Sequence, residues 1–187
     1  MDLRMVKTRN QIKSAFALLR EKLLPEKIKV KDICRVAMIN KTTFYNHYTD
    51  AMALFNDIVD HAIDNVISDF PESNKLFLDP RAYVIGLVRV LDKKSQSLKT
   101  IFRGKQEVLC SKLEERLKIK YEPTVSEFCD SVRLSFIIGG FVRVIKDYVF
   151  SEIKCNIDNL GELIFSIICA SVSDIGDDFD ITIDENN

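Results

Sequence analysis

Nine consecutive residues decide the fold of this chain: Asn40-Lys41-Thr42-Thr43-Phe44-Tyr45-Asn46-His47-Tyr48. Asn40 is a residue type that caps helix N-termini, so a short helix is predicted from Lys41 to Tyr48. Phe44 is expected to anchor this helix from the inside, and Tyr48 is also expected in the core. The outward face then presents side chains that suit DNA bases and phosphates: Lys41, Thr42, Tyr45 and Asn46.

A second short helix is predicted just before this stretch, from Val30 to about Ala37. A supporting helix needs small apolar residues on its inner side, and four positions satisfy this: Val30, Ile33, Cys34 and Ala37. Ile39 is placed to be buried in the tight turn. Two short helices joined in this way form a helix-turn-helix, whose second helix fits a DNA major groove about 12 Å wide.

Amphipathic helices are predicted on both sides of the motif. Upstream, apolar residues recur at spacings of three or four between about Thr8 and Leu23, at Ile12, Phe16, Leu19 and Leu23. Thr8 is the predicted N-cap of this helix, and Pro25 ends it. Downstream, Asp50 can cap a long helix that Pro71 stops.

The remainder of the sequence is predicted to be helical as well. After a loop over 71–80, helices are expected near 81–91, 93–102, 104–121, 125–150 and 157–172, with a break at Pro123. No stretch alternates apolar and polar residues for long enough to indicate a sheet. We therefore predict an all-α chain of about nine helices, with an N-terminal three-helix domain and a larger C-terminal helical domain.

Charge is unevenly distributed along the 187 residues, although the formal net charge is only −1. Residues 1–50 hold eleven Lys or Arg against five Asp or Glu, and the last seventeen residues hold six acids and no base. The basic end suits a nucleic-acid partner, but on charge alone a solvated helix face explains it equally well. The acidic segment 174–185 is expected to be solvated, without a function of its own.

Several classes of protein are excluded by what the sequence lacks. No apolar run reaches the roughly 18 residues of a membrane-spanning helix, and the N-terminus lacks a secretory signal, so a cytoplasmic chain is expected. The five cysteines are odd in number with no C-x-x-C pair, and there are two histidines, so neither disulfides nor a metal site is expected. No phosphate loop or nucleophile–base arrangement indicates an enzyme, and no cofactor is implied.

The helix-turn-helix residues resemble the DNA-binding domain of the TetR (tetracycline-repressor) family: Val30-x-x-Ile33, then residues 40–48, then Leu54-Phe55. The resemblance covers about residues 7–60. It implies a transcription regulator, expected to be a repressor, that binds a palindromic operator in double-stranded DNA as a homodimer. It also implies a DNA-binding domain over 1–50, a connecting helix to about 70, and a dimerisation and effector-binding domain over 71–187.

The resemblance assigns roles to individual residues. Lys41 and Thr42 become candidates for base contacts, and Thr43, Tyr45 and His47 for phosphate or groove contacts. The full candidate DNA-binding set is Lys29, Lys41, Thr42, Thr43, Tyr45, Asn46 and His47. Packing against the next helix is an equally good explanation for His47.

Three positions depart from the family pattern. Met38 stands in the turn where the family usually has Gly, Lys29 where Thr or Ser often caps the supporting helix, and Ala51 where Lys often lies near the DNA backbone. If the backbone at Met38 is left-handed, the side chain costs roughly 1 kcal/mol of strain. These departures leave an alternative open, a TetR-fold interaction protein that acts through a protein partner with weak or no DNA binding.

Two apolar helices near the C-terminus are candidates for a dimer interface. Gly139 and Gly140 lie together inside an apolar helix, where each costs up to about 1 kcal/mol relative to Ala, and close approach of a partner helix would compensate. The helix over 157–172 is apolar around much of its circumference. The candidate interface residues are Gly139, Gly140, Ile164 and Ile168, and the alternative is that both helices are central in the monomer.

An effector site is the least defined expectation. Candidate pocket residues are aromatic or aliphatic: Tyr83, Leu87, Phe102, Leu109, Phe128 and Phe136. Such a lining suits an apolar small-molecule effector. The same stripe is also compatible with an ordinary hydrophobic core, or with control by a protein partner.

Overall fold

The computed structural model describes residues 3–71, 78–121, 128–150 and 155–173, and in these ranges the chain forms eight α-helices and no strand. The helices are α1 (Leu3–Arg20), α2 (Val30–Ala37), α3 (Lys41–Tyr45), α4 (Ala51–Ser68), α5 (Pro80–Phe102), α6 (Gln106–Tyr121), α7 (Phe128–Phe150) and α8 (Ile157–Ser173). The all-α prediction is confirmed. We call α1–α3 the head and α5–α8 the body; α4 joins them. The acidic segment 174–185 lies outside the described residues.

Helix α5 is continuous where the sequence predicted two helices with a break at residue 92. Asp92 is not in a loop, because it accepts a hydrogen bond of 2.5 Å from the Tyr148 hydroxyl on α7. Lys94 forms an ion pair of 2.6 Å with Asp69, just after α4. The polar residues of this segment therefore face neighbouring helices, and the expected nine helices become eight.

Both ends of α1 differ from the prediction. The helix begins at Leu3, and the Thr8 hydroxyl donates to the Arg4 carbonyl oxygen (3.0 Å) inside the helix, so Thr8 is not its N-cap. The helix ends at Arg20, and the buried Pro25 opens a short 3₁₀ turn, Pro25–Lys27. No glycine or proline precedes Thr8, so nothing in residues 3–7 stops the helix from extending.

The caps and the anchor of the helix-turn-helix follow the prediction. The Asn40 side chain accepts from the Thr43 backbone N–H (2.7 Å), and the Asp50 side chain accepts from that of Ala53 (2.8 Å). Phe44 is fully buried. The core around it draws on all four N-terminal helices and includes Ile12, Phe16, Ile33, Leu54 and Phe55.

The turn between α2 and α3 is a Schellman motif closed at a methionine. The Ile39 N–H donates to the Cys34 oxygen (3.0 Å) and the Met38 N–H to the Arg35 oxygen (3.4 Å), which is the hydrogen-bond pattern of this motif. Met38 has φ 52° and ψ 44°, the left-handed conformation that glycine usually adopts here. The strain anticipated at Met38 is therefore present.

We expect Met38→Gly to raise the free energy of unfolding by about 1 kcal/mol, because it removes the left-handed strain. The Met38 side chain is 88% exposed, so little packing is lost with it. Met38→Ala is the matched control, since alanine keeps the Cβ atom that causes the strain. Chemical denaturation of both variants tests the expectation, and equal stability of the glycine and alanine variants would contradict it.

A buried arginine fastens the head to the body. Arg20, only 1% exposed, donates through Nη1 to the Leu23 oxygen (2.6 Å) and through Nη2 to the oxygens of Ile101 (2.8 Å) and Arg103 (2.7 Å). Ile101 and Arg103 lie at the C-terminal end of α5, where the helix dipole concentrates negative charge, and Leu23 lies three residues after the end of α1. One cation thus caps α5 and ties it to the segment that follows α1.

The same junction is held from the body side. Arg103 donates to the Glu21 oxygen (2.6 Å), and Lys105 lies 3.6 Å from a Glu26 carboxylate oxygen. Gly104 has φ +69°, and a Cβ atom there would lie 2.5 Å from Cδ2 of Leu24, so the two loops are in close contact. We call the contacts between residues 20–26 and 101–105 the clasp.

Ion pairs attach α4 to the body along its length. Asp60 pairs with Lys112 and Asp64 with Arg116, each at 2.9 Å and each joining α4 to α6. Partly exposed pairs of this kind contribute little stability singly. They do fix the lateral position of α4 on α6, and α4 begins immediately after the helix-turn-helix.

The body is built on α5 and α8, which pack antiparallel. Arg89 pairs with Asp158 (2.8 Å) and Arg81 with Glu162, so that later residues of α8 meet earlier residues of α5. Gly161 permits the close approach, since a Cβ atom there would lie 3.2 Å from Cα of Ile85. Helices α6 and α7 complete the body and line a partly open space with this pair.

Candidate nucleic-acid interface and interior cavity

The outward face of α3 carries the side chains that the sequence analysis selected. Lys41, Thr42 and Asn46 are exposed, and Tyr45 is 54% exposed with its ring edge-on to Phe44. Thr43 and His47 are half-buried. This short helix and the residue that follows it therefore present a cation, hydroxyls and an amide to solvent, while Phe44 anchors the inner side of the helix in the core.

Lys29 lies at the start of the supporting helix. It occupies the N-cap position of α2, its backbone is extended, and its side chain makes no capping hydrogen bond. Its side chain is exposed. Lys29, which stands where the family often has a capping Thr or Ser, thus places an exposed cation at the start of the helix-turn-helix.

A polar cluster that the sequence analysis missed holds the end of α3. The Tyr48 hydroxyl donates to Asp57 on α4 (2.7 Å) and accepts from Arg9 on α1 (3.0 Å). Arg9 and Lys13 both reach Asp57, at 2.6 and 2.9 Å. Tyr48 was expected in the core, and its ring is indeed buried, but its hydroxyl joins three helices.

Burial and the cluster's charges set the protonation of these groups. Burial, and then the hydrogen bond to Asp57, raise the pKa of Tyr48 to about 12. Desolvation opposes ionisation of Asp57, but the hydrogen bonds from Tyr48 and Lys13 outweigh it and lower the pKa of this carboxyl. At neutral pH the cluster therefore consists of a carboxylate, a neutral phenol and two cations, and this arrangement orients the end of α3 against α1 and α4.

The body holds a partly open cavity of about 580 Å³ between α5, α6, α7 and α8. Its lining residues are Pro80, Tyr83, Val84, Leu87, Leu117, Tyr121, Leu134, Ile137, Ile138, Phe141, Phe165, Ile168 and Cys169. Tyr83 on α5 and Tyr121 at the end of α6 share a hydrogen bond between their hydroxyls, and the two rings meet edge to face. Apart from this pair and one thiol, the described lining side chains are hydrocarbon.

The six candidate pocket residues are divided by the structure. Tyr83 and Leu87 line the cavity, whereas Phe102 and Leu109 are buried in the core elsewhere. Phe136 is 72% exposed on the outer side of α7, because it faces away from α5 and α6. The side chain of Phe128 lies outside the described residues. Tyr121, which sequence reasoning missed, contributes one of the cavity's few polar groups.

An exposed apolar face runs along α7 and α8 on the outside of the body. Its large side chains are 37–72% exposed: Val132, Phe136, Val144, Leu163 and Ile167. A Cβ atom at Gly139 or Gly140 would meet nothing within 4 Å, so packing within the protomer does not explain these glycines. Of the other candidate interface residues, Ile164 is buried in the protomer and Ile168 lies in the cavity wall.

Two features are absent from the part of the chain that the structure describes. No helix there is both long and apolar enough to cross a membrane. No group of three or more His, Cys, Asp or Glu side chains is arranged to hold a metal ion there.

No protein-family model and no curated protein sequence matches this chain. Solved structures do match it over nearly its whole length. The dihydroxyacetone kinase operon activator DhaS has a TM-score of 0.59 and 18% identity over 89% of this chain and 97% of its own. A TetR transcriptional regulator from Streptococcus agalactiae 2603V has a TM-score of 0.62 and 18% identity over 88% and 95%. A TetR-family transcriptional regulator from Streptomyces coelicolor has a TM-score of 0.57 and 13% identity over 91% and 82%. The chain therefore has the fold of TetR-family regulators.

Proposed function

We propose that this TetR-fold chain is a sequence-specific DNA-binding transcription regulator that binds a palindromic operator as a homodimer. The observation that carries the proposal is the outward face of α3, where Lys41, Thr42, Tyr45 and Asn46 are exposed on a helix anchored by Phe44. The basic excess of residues 1–50 supports it, since phosphate neutralisation supplies most non-specific DNA affinity. Catalysis has no part in the proposal.

Within this proposal the candidate residues divide by the kind of contact they make. Lys41 and Thr42 contact base edges, whereas Thr43, Tyr45 and His47 contact phosphates or the groove wall. Asn46 and the exposed Lys29 extend the contact surface on either side. Residues 1–50 form the DNA-binding domain, and residues 71–187 dimerise and bind an effector.

The proposed dimer gives the DNA site its symmetry. Two α3 helices related by a two-fold axis reach successive major grooves when they lie about 34–36 Å apart. An apolar small molecule in the body then controls DNA binding only if it binds more tightly to one separation of the two α3 helices than to another. Repression by occupying the operator is the simplest outcome, although one structural neighbour is named an operon activator.

Selection of duplexes from a randomised DNA library tests the proposal, followed by affinity measurements at two salt concentrations. We expect a palindromic consensus whose affinity falls as salt rises. Lys41→Ala and Tyr45→Ala should each weaken binding to that consensus by about tenfold or more, because each removes a contact worth roughly 1–3 kcal/mol. Lys118→Ala is the matched control, since Lys118 is an exposed lysine of the body.

If the folded, dimeric chain fails to select any DNA sequence, the result favours the alternative, a TetR-fold protein that acts through a protein partner. A feature of the head favours this alternative specifically, namely a shallow groove of mixed polar and apolar lining between α1 and α2. The groove is lined in part by Leu3, Leu18 and Met38, which are 84%, 57% and 88% exposed.

A further inference from the structure

The wall of the body cavity carries no charge among the described residues that line it. Placing an ion in such surroundings costs many kcal/mol unless a partner neutralises it. The residues that surround the space on its four helices are instead aliphatic or aromatic, as at Leu87, Leu117, Ile138 and Phe141. The described wall of the cavity therefore disfavours an anionic or cationic group placed against it.

The hydroxyls of Tyr83 and Tyr121 are the strong hydrogen-bonding groups among the described side chains of the wall. Tyr83 is 3% exposed and Tyr121 is 6% exposed, and each hydroxyl is both a donor and an acceptor. Desolvation is the main cause that raises the pKa of both phenols, so the pair stays neutral over the physiological range. The two hydroxyls already share one hydrogen bond, so a ligand oxygen at this point would join or replace that bond.

The cavity volume sets the size of the occupant. At about 580 Å³ it falls within the range of roughly 300–1,000 Å³ that is typical of small-molecule sites. If each non-hydrogen atom takes on the order of 30 Å³, as a water molecule does, the space holds on the order of 10–20 of them. This is the size of a fused bicyclic alcohol or a medium-chain alcohol.

We propose that the effector is an uncharged, mainly hydrocarbon molecule with a single hydroxyl or carbonyl oxygen that hydrogen-bonds to the Tyr83–Tyr121 pair. This inference rests on the proposed function for its regulatory meaning, but the binding itself does not depend on DNA. The hydrocarbon wall supplies the affinity, and the tyrosine pair selects for the oxygen and fixes its position.

The position of the pair connects ligand binding to the head. Tyr83 lies on α5, whose far end accepts hydrogen bonds from Arg20 in the clasp, and Tyr121 lies on α6. Helix α6 also carries Lys112 and Arg116, which hold α4. A ligand oxygen inserted between the two hydroxyls changes the separation of the two helices that fasten the head.

Four naphthalene compounds with a common ring system test the chemistry in the full-length chain. They are 2-naphthol and naphthalene, which are neutral, 2-naphthoate, an anion at neutral pH, and 2-naphthylmethylammonium, a cation. Because the chain has no tryptophan, protein emission comes mainly from its five tyrosines, and a protein blank corrects the naphthyl fluorescence for it. We expect 2-naphthol to bind about five- to tenfold more tightly than naphthalene, and both ions at least tenfold more weakly than naphthalene.

The double variant Tyr83→Phe/Tyr121→Phe keeps both rings and removes both hydroxyls. We expect it to bind naphthalene within twofold of the original chain and to lose the preference for 2-naphthol. Tyr148→Phe is the matched control, because that hydroxyl bonds to Asp92 and does not line the cavity. If the double variant fails to fold, the relative affinities of the four probes for the unaltered chain still test the proposed ligand class.

Three results would overturn the inference. They are tighter binding of either ion than of naphthalene, equal loss of 2-naphthol and naphthalene in the double variant, and no binding of either neutral probe. The DNA selection described above is done without any probe, so the two proposals fail separately. A chain that binds 2-naphthol but selects no DNA refutes the regulator, and a chain that selects DNA but binds no neutral probe refutes the effector class.

Discussion

Replacing Arg20 with methionine is expected to lower the free energy of unfolding by about 3 kcal/mol. The methionine keeps much of the volume but donates no hydrogen bond, so the carbonyls of Leu23, Ile101 and Arg103 lose a buried donor. A buried acceptor without a partner costs about 1–3 kcal/mol. The loss is smaller than three such costs together, because the variant also removes the desolvation penalty of a buried cation.

Chemical denaturation of the full-length chain measures this effect, and Arg103→Met is the matched control. Arg103 is exposed and donates one hydrogen bond at the same junction, to the Glu21 oxygen. We expect that variant to lose about 1 kcal/mol or less. Similar losses in the two variants would show that the clasp does not depend on the buried guanidinium.

The clasp also explains how this chain tolerates a charge in its interior. Desolvation, and then the nearby positive charge of Arg103, lower the pKa of Arg20, whereas the Glu26 carboxylate opposes this; a guanidinium remains protonated in proteins. Backbone carbonyl oxygens, two of them at the C-terminal end of α5, accept its hydrogen bonds. The head and body are therefore joined by backbone acceptors, whose positions move only if a helix end moves.

The parts of the fold that could be predicted depend on residues close together in the sequence. The caps at Asn40 and Asp50 and the anchoring of Phe44 follow from residue type and from spacing within one or two helical turns. The strain at Met38 was anticipated from the resemblance, because the family usually has Gly at this turn and Gly is the residue that adopts a left-handed backbone without strain.

The parts that could not be predicted depend on where distant segments meet. Arg20 occupies an unremarkable position at the end of α1, and two of its three acceptors lie 81 and 83 residues farther along the chain. The same holds for Asp57, whose partner Arg9 lies 48 residues away. Residue type alone predicts that these side chains are exposed, and only the packing of the helices shows that Arg20 is buried and that Arg9 and Asp57 are half-buried.

The cavity residues illustrate a further limit. Phe102 and Leu109 are as apolar as Leu87, and helical spacing indicates that each lies on a buried face. Spacing does not indicate which part of that face meets empty space, because the cavity is bounded by four helices. Tyr121 carried no signal beyond the polar end of its ring.

The exposed apolar face of α7 and α8 is the surface on which the proposed homodimer depends. Phe136 is the most exposed of its large side chains and lies one turn from Gly139 and Gly140. Each glycine weakens the helix by up to about 1 kcal/mol, and neither has a neighbour in the protomer that requires it. A second copy packed across a two-fold axis would account for both the glycines and the exposed aromatic ring.

We therefore expect Phe136→Asp to raise the dissociation constant of the dimer by about a thousandfold. Burial of a phenylalanine side chain is worth about 1.5–3 kcal/mol, and two-fold symmetry removes two of them, for a loss of about 4 kcal/mol. Ile119→Asp is the matched control, because Ile119 is 60% exposed on α6, away from this face. Analytical ultracentrifugation over a range of concentrations distinguishes the two variants. If the unaltered chain is monomeric, the proposed dimer is excluded. If both variants dissociate to the same extent, the dimer interface does not lie on the apolar face.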